Sequence, residues 1–263
     1  MRRRPGGRAR RRGDVLARVD ERTGPSGNVA GREIHMKVTW LAQAGLLFEN
    51  GHLSVMVDPY FSDSVGERDA SKHRRMAAND AFLRAPDVLI ITHDHLDHLD
   101  PATLCRLLDT ERRITVLASE GAYAKLCALG FPQHRYVLMR PHSVWSEGSV
   151  TFYAVKAEHS DPHAIGCIID DGNRTYYVTG DTLYNYDVLD DVLDLVEDGV
   201  DVVFLPINGE GNNMNAKDAA DFAYEIDAAR AVPIHYGLFD GQDPSEFDFE
   251  NAVLLKPFVP FEF

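Results

Sequence analysis

The chain has 263 residues, of which 44% are hydrophobic and 26% charged, which are ordinary proportions for a globular protein with a sizeable core. No segment approaches the roughly 18 apolar residues that a membrane-spanning helix needs, and no apolar segment of a secretory signal follows the N-terminal arginines. Cys105, Cys127 and Cys167 form no CxxC pair, which argues against a disulfide framework or a thiolate metal site. We therefore expect three small core cysteines and a cytoplasmic protein.

Charge is distributed unevenly along the chain. Residues 1–32 contain ten arginines against three carboxylates, and since the whole chain has a formal net charge of −14, residues 33–263 carry −21. The composition of residues 1–32 predicts a basic, disordered arm, although such an arm can also bind nucleic acid or anionic lipid. The acidic remainder disfavours nucleic acid as a partner. We expect a small-molecule substrate and no membrane association. The sequence does not decide whether the chain forms a homo-oligomer.

Residues 33–263 are predicted to form one domain in which runs of strands are punctuated by helices. Apolar or alternating segments predict strands at 35–41, 45–50, 52–61, 85–93, 113–119, 149–157, 164–181 with a hairpin turn at 171–173, 200–207 and 230–237. Amphipathic segments with cap residues predict helices at 99–109, 120–130, 186–199 and 215–229. The pattern predicts an α/β sandwich with two sheets inside and helices outside.

The segment THDHLDH at residues 92–98 concentrates ionisable groups at the end of a predicted buried strand. His93 and His95 are two residues apart, so extended backbone projects both to one side. Asp97 and His98 follow a turn and can face a second point a few ångströms away. Imidazole and carboxylate are common metal ligands, and sites in α/β proteins form at strand ends. The segment therefore predicts half of a metal site rather than a solvent-facing histidine cluster.

Three further residues of ligand type, His159, Asp181 and His235, each follow a predicted strand. Each one alone is a weak signal because a single histidine or aspartate in a loop is more often structural. Together with THDHLDH they predict two coordination spheres for two divalent metal ions. Two such ions about 3.5–4 Å apart can share a hydroxide whose pKa falls towards 7, which makes a nucleophile at neutral pH. Nitrogen and oxygen donors without thiolate suit manganese, zinc or iron.

These motifs resemble the metallo-β-lactamase-fold hydrolases. The resemblance rests on THDHLDH, His159, TGD at Asp181 and PIHYG at His235, and it covers residues 35–240. It implies an αββα sandwich of the metallo-β-lactamase type. It also implies that one metal is held by His93, His95 and His159, and a second by Asp97, His98 and His235, with Asp181 bridging. The motif VDPYF implies that Asp58 orients a ligand histidine from behind.

Within that superfamily, the segments VTWLAQAGLLFE, GDTLYNYD and INGEGNNMNAKDAADFA are similar in order and spacing to the L-ascorbate-6-phosphate lactonase-like group. The likeness implies a hydrolase that opens a lactone or ester of a small metabolite, phosphorylated or not, and it favours manganese, with zinc next. The loop PINGEGNN and the shorter excursion before residue 87 depart from that group, so the substrate stays open. Two alternatives remain: a phosphodiesterase or nuclease on the same fold, and a non-catalytic metal-binding member.

Other residues are candidates for supporting roles. We expect Asp97 to carry a proton, Asp181 to position the hydroxide, and Gln43 to support the ligands near Asp58. A basic segment at residues 72–75 predicts either a phosphate contact or a solvated charged face. The candidate substrate contacts are Arg75, His163, Tyr184, Tyr186, Asn208 and Glu210.

Overall fold

The computed structural model describes residues 36–196 and 199–263, so the predicted arm at 1–32 lies outside the described residues. The strands are β1 Lys37–Trp40, β2 Leu46–Glu49, β3 Ser54–Val57, β4 Val88–Ile91, β5 Thr115–Ser119, β6 Arg135–Met139, β7 Val144–Glu147, β8 Val150–Lys156, β9 Ile165–Asp170, β10 Thr175–Val178, β11 Val202–Pro206, β12 Arg230–Ile234 and β13 Phe261–Glu262. The α-helices are α1 Ser64–Arg68, α2 Pro101–Leu108, α3 Glu120–Ala128, α4 Tyr186–Leu195 and α5 Ala216–Glu225. Short 3₁₀ turns occur at Ala70–Lys72, Asp80–Phe82 and Pro244–Glu246.

Two mixed sheets stack face to face. One has the order β13-β1-β2-β3-β4-β5-β6 and the other the order β12-β11-β10-β9-β8-β7. Aromatic side chains fill the space between the sheets, where the rings of Phe48 and Phe204 lie 5.4 Å apart. Helices α2 and α3 cover the outer face of the first sheet, and α4 and α5 cover that of the second. The predicted αββα sandwich is therefore confirmed.

Local signals in the sequence account for several element boundaries. Asp100 caps α2, because its carboxylate accepts hydrogen bonds from the backbone N–H groups of Ala102 and Thr103, both at 3.2 Å. Asn215 caps α5 by accepting from the N–H of Asp218 at 2.9 Å. Gly130 follows α3 with φ of +89°, a conformation that favours glycine. Each of these three residues lies at an end of a helix that the sequence predicts.

Other expectations differ from the structure. Strands β6 and β7 were not predicted, because each is an edge strand in which few side chains are buried. The expectation of three core cysteines is wrong: Cys167 is buried, but Cys105 is half-buried and Cys127 is exposed on a helix surface. Among the described residues, no helix combines the length and apolar character needed to cross a bilayer.

The layer between the sheets gives a stability prediction. Phe204 is fully buried, so Phe204→Ala should lower the free energy of unfolding by about 3–5 kcal/mol. Denaturant unfolding of the metal-free protein measures this loss. Tyr186→Ala is the control, since Tyr186 is 72% exposed and should change stability by less than about 0.5 kcal/mol. Equal losses in both variants would contradict the assignment of the core.

Candidate metal centre

The predicted ligands come from four places in the chain that meet at one edge of the sandwich. His93 follows β4, and the loop between β4 and α2 carries the rest of THDHLDH. His159 follows β8, Asp181 follows β10, and His235 follows β12. Because β10, β11 and β12 are parallel, their carboxyl ends lie at the same edge, where sites of α/β proteins form.

Three histidines form the first group of predicted ligands, called here the first triad. One ligand atom from each of His93, His95 and His159 lies within 4.8 Å of the others. The rings meet edge to face, with centroids 4.6 to 4.8 Å apart. The Nδ1 of His159 lies 3.2 Å from the carbonyl oxygen of Asn212, which leaves its Nε2 directed at the other two histidines.

The second triad combines one carboxylate with two imidazoles. Asp97, His98 and His235 also place ligand atoms within 4.8 Å of one another. The Oδ2 of Asp97 lies 3.3 Å from the Nε2 of His235 and 3.8 Å from the Nε2 of His98. The two halves of THDHLDH therefore serve different triads, as the spacing predicts.

Asp181 lies between the two triads. Its Oδ2 is 4.0 Å from the Nε2 of His93 and 3.9 Å from that of His159 in the first triad. Towards the second triad, the same oxygen is 3.3 Å from the Nε2 of His235, and Oδ1 is 3.4 Å from that of His98. A carboxylate in this position can contact a cation at either triad or at both.

The buried polar atoms of this cluster are suited to binding divalent cations. The Nε2 atoms of His93 and His98 and the Oδ1 of Asp181 are buried without a hydrogen-bond partner in the described part of the chain. Leaving such atoms unpaired in the interior costs free energy. The donors are nitrogen and oxygen atoms, and they converge at two points. A divalent cation at each triad would satisfy these atoms and offset the buried carboxylate charge.

Asp58, predicted from VDPYF to lie behind a ligand histidine, contacts the second triad. It follows β3 and is fully buried. Its Oδ2 lies 2.8 Å from the Nδ1 of His98, and its Oδ1 accepts a hydrogen bond of 2.8 Å from the N–H of Thr92. The contact with Nδ1 turns the Nε2 of His98 towards Asp97 and Asp181.

Gln43 supports the same triad from the turn between β1 and β2. Its side-chain amide donates to the Oδ2 of Asp97 at 2.9 Å. Its backbone oxygen accepts a hydrogen bond of 2.9 Å from the N–H of His235. One residue therefore holds two ligands of the second triad.

Charges inside the cluster shift the protonation of its members in the absence of cations. Burial and the charge on His98 lower the pKa of His93 well below its ordinary value. Burial opposes charge on His235, but Asp181 and Asp97 raise its pKa to about 10. The pKa of His98 is likewise raised despite burial, by Asp181 and Asp97. Burial alone would raise the pKa of both aspartates, but the neighbouring histidines lower it.

A cavity of 380 Å³ opens above the two triads. Two of the predicted substrate contacts, Asn208 and Glu210, line it. The structure places the other candidates elsewhere. Beyond the ligands, the lining comprises Gln43, Val65, Ser71, Lys72, Ser160, Asn208, Glu210, Gly211, Asn213, Phe239 and Asp240.

The remaining candidate contacts lie outside that lining. The guanidinium of Arg75 lies beside Gly241, and the imidazole of His163 faces Glu120 at 3.7 Å. The ring of Tyr184 packs towards Phe222 in the layer under α5. Tyr186 is largely exposed at the start of α4. No contact with the cavity supports a substrate role for these four side chains.

The loop between β11 and α5 holds a residue that sequence reasoning missed. Asn213 is 5% exposed, and its side-chain amide donates to the Oδ2 of Asp181 at 2.9 Å. The neighbouring Asn212 carbonyl contacts His159, so this loop supports both the first triad and Asp181. The polar segment GEGNN signals a loop near the site, but no spacing rule identifies which asparagine points inwards.

Known proteins resemble this chain in sequence and in fold. Residues 54–236 match the family profile described as a β-lactamase superfamily domain. The chain belongs to the metallo-β-lactamase superfamily. A UPF0173 protein of Pyrococcus furiosus is 27% identical over 237 residues, covering 86% of this chain and 98% of the relative. A UPF0173 metal-dependent hydrolase of Pyrobaculum islandicum is 26% identical over 237 residues, covering 84% of this chain and 97% of the relative.

The fold of this superfamily member is also found in crystal structures. The metallo-β-lactamase fold protein YhfI from Bacillus subtilis matches with a TM-score of 0.67 at 19% identity, over 88% of this chain and 100% of that protein. At this identity the likeness shows the fold. The activity expected from the sequence, metal-dependent hydrolysis, agrees with the names of the sequence relatives.

The raised pKa values of His98 and His235 predict that cation binding releases protons. Both imidazoles hold a proton at pH 7 in the cation-free protein, and a ligand nitrogen must give it up. Affinity should therefore rise as the pH rises towards the pKa of His235. Calorimetric titration with Zn²⁺ at pH 7, in two buffers of different ionisation enthalpy, counts the protons.

The control for this titration is His235→Ala, which should release fewer protons than the wild-type protein. Protonated His98 and His235 should also stabilise the wild-type fold. This contribution is fully present below about pH 6.5, the unperturbed pKa of histidine, and is lost as the pH rises through their raised pKa values. Equal observed heats in the two buffers would contradict proton release.

Proposed function

We propose that this metal-dependent hydrolase of the metallo-β-lactamase superfamily binds two divalent cations, one at each triad, and hydrolyses a lactone or ester of a small metabolite. The placement of Asp181 between two triads of ligand atoms carries the proposal. The lactone or ester class rests on the resemblance to the L-ascorbate-6-phosphate lactonase-like group. Manganese, zinc and iron all suit the nitrogen and oxygen donors.

When bound, cations at the two triads supply Lewis acidity that lowers the pKa of water and polarises a carbonyl oxygen. The chain's own residues hold this arrangement in place. Asn213 and Gln43 each donate a hydrogen bond to a carboxylate, of Asp181 and Asp97 respectively. Each carboxylate therefore keeps one orientation while its remaining lone pairs face the triads.

Asp97 is the residue we propose to carry a proton during turnover. Its side chain is 19% exposed, whereas that of Asp181 is 6% exposed, so Asp97 has the better access to water in the cavity. Such a carboxylate can accept a proton briefly and pass it to the leaving group or to solvent.

The size and charge of the cavity support a small substrate. A volume of 380 Å³ lies at the lower end of the range for small-molecule sites, roughly 300–1,000 Å³. The net charge of −21 on residues 33–263 would repel a nucleic acid. A phosphodiesterase acting on a small substrate is the second candidate, and the complete ligand set counts against a non-catalytic metal-binding protein.

The basic segment at residues 72–75 places one positively charged side chain at the cavity. His73 pairs with Asp63, their atoms lying 2.6 Å apart. Arg74 donates to the carbonyl oxygen of Tyr60 at 2.7 Å and is thereby occupied. Lys72 lines the cavity. We therefore propose Lys72, rather than Arg75, as the contact for any phosphate carried by the substrate.

The test of function compares three substrates on manganese-loaded and zinc-loaded protein. These are a sugar-phosphate lactone, the same lactone without phosphate, and an activated phosphodiester. Faster lactone opening supports the proposal, and faster phosphodiester cleavage would replace it with the second candidate. Absence of turnover on all three, with two cations bound, would favour the non-catalytic alternative.

Asp181→Ala should lose bound cation and nearly all activity while the fold is kept. Loss of a residue that contacts both triads should exceed the roughly 10- to 100-fold effect of losing an outer partner of a metal ligand. Metal content by mass spectrometry, activity and circular dichroism measure the three effects. Asp190→Ala, on the exposed face of α4, is the control. Full activity in Asp181→Ala would overturn the bridging role.

Lys72→Ala should lower kcat/KM for the phosphorylated lactone about tenfold, as expected for loss of one charge-assisted hydrogen bond. Arg75→Ala is the matched control and should leave kcat/KM unchanged. Neither variant should affect the lactone that lacks phosphate. An equal loss on both lactones in Lys72→Ala would show that Lys72 does not bind phosphate.

A further inference from the structure

A carboxylate that is not a predicted ligand connects the two segments that carry the first triad. Asp161 is buried, with 7% of its surface exposed. Its Oδ2 accepts a hydrogen bond of 3.2 Å from the N–H of Asp94, the residue between His93 and His95. Asp161 itself lies two residues after His159. One side chain thus joins the loop that carries two ligands to the loop that carries the third.

The second oxygen of this carboxylate shapes its own loop. The Oδ1 of Asp161 accepts a hydrogen bond of 2.8 Å from the N–H of His163, and the backbone oxygen of Asp161 accepts one of 3.1 Å from the N–H of Ala164. These contacts close the turn that follows His159. The carboxylate therefore cannot move without moving the turn and the ligand before it.

Helix α3 provides the surface against which Asp161 packs. A methyl group at Gly121, in the first turn of α3, would lie 2.7 Å from the Oδ2 of Asp161, so any larger residue there would have to displace this carboxylate. The positive end of the helix dipole favours a carboxylate there. One turn further along the same face, Lys125 pairs with the side chain of Asp94. The start of α3 thus contacts both ligand-bearing loops.

We infer that Asp161 is a positioning residue that sets the spacing between the two halves of the first triad, with the start of α3 as its template. The inference rests on the proposed function in that it requires a cation at each triad. The second triad has a different support, because the contact of Asp58 with His98 involves neither Asp161 nor α3. Asp58 also accepts a hydrogen bond from the N–H of Thr92, next to His93, whereas the hydrogen bonds of Asp161 go to the loops of the first triad. Loss of Asp161 should therefore weaken the first cation site selectively.

The experiment is a calorimetric titration of the metal-free full-length chain with Zn²⁺ in the presence of a competing chelator. His159→Ala and His235→Ala assign the two binding phases to the first and second triads. Asp161→Asn should weaken the first-triad phase about 10- to 100-fold, the usual effect of losing an outer partner of a metal ligand. The second-triad phase should be unchanged.

Two further variants make the test selective. Gly121→Ala should reproduce the first-triad loss by displacing Asp161, although alanine by itself favours a helix. Asp58→Asn is the opposite control and should weaken the second-triad phase more than the first, because Asp58 contacts His98 directly and reaches His93 only through Thr92. Thermal unfolding of each metal-free variant identifies any that has lost the fold. If Asp161→Asn does not fold, the titration of Gly121→Ala tests the inference instead.

Equal weakening of both phases in Asp161→Asn, or no weakening of the first, would overturn the inference. The first result would mean a general structural role, and the second would mean that the triad holds its own spacing. Neither the calorimetric titration nor the thermal unfolding measures hydrolysis. A chain that binds two cations with these selective effects, yet opens no lactone, would overturn the proposed function and leave the assignment of Asp161 standing.

Discussion

The structure of this protein depends on bringing Asp97 and Asp181 into the interior among five imidazoles. Buried carboxylates need opposite charge within a few ångströms, since their hydration has been removed. In the cation-free protein, protonated His98 and His235 provide that charge, and divalent cations would replace those protons. The edge of the sandwich where the strand ends meet is the place where residues from distant parts of the chain can satisfy this requirement together.

Three residues in and behind the second triad have a strained backbone. Gln43, Asp58 and His235 have φ angles of 49°, 41° and 60°, a region that non-glycine residues rarely adopt. Each lies where a strand turns into the site, and hydrogen bonds to neighbouring groups hold the conformation. Such strain costs on the order of 1–3 kcal/mol for each residue. It aims three side chains at one point, which relaxed extended backbone would not do.

The two triads share Asp181 and the loop between β4 and α2, and each has further supports of its own. The first depends on α3, Asp161 and the loop between β11 and α5, whereas the second depends on the turns after β1 and β3. Asn213 connects them by holding Asp181. A cavity of 380 Å³ above both triads then exposes the paired sites to a small substrate while the supports remain buried.

The sequence by itself determined the αββα arrangement, because apolar periodicity identifies buried strands. It also predicted seven ligands, because each lies in a segment that follows such a strand. The edge strands β6 and β7 were not predicted, because half-exposed strands show little regular alternation of apolar and polar residues. Only the tertiary structure decided which other polar residues reach the site. Lys72, Asn213 and Asp161 lie there, whereas Arg75 and His163 do not, since the direction of a loop side chain depends on packing between segments far apart in sequence.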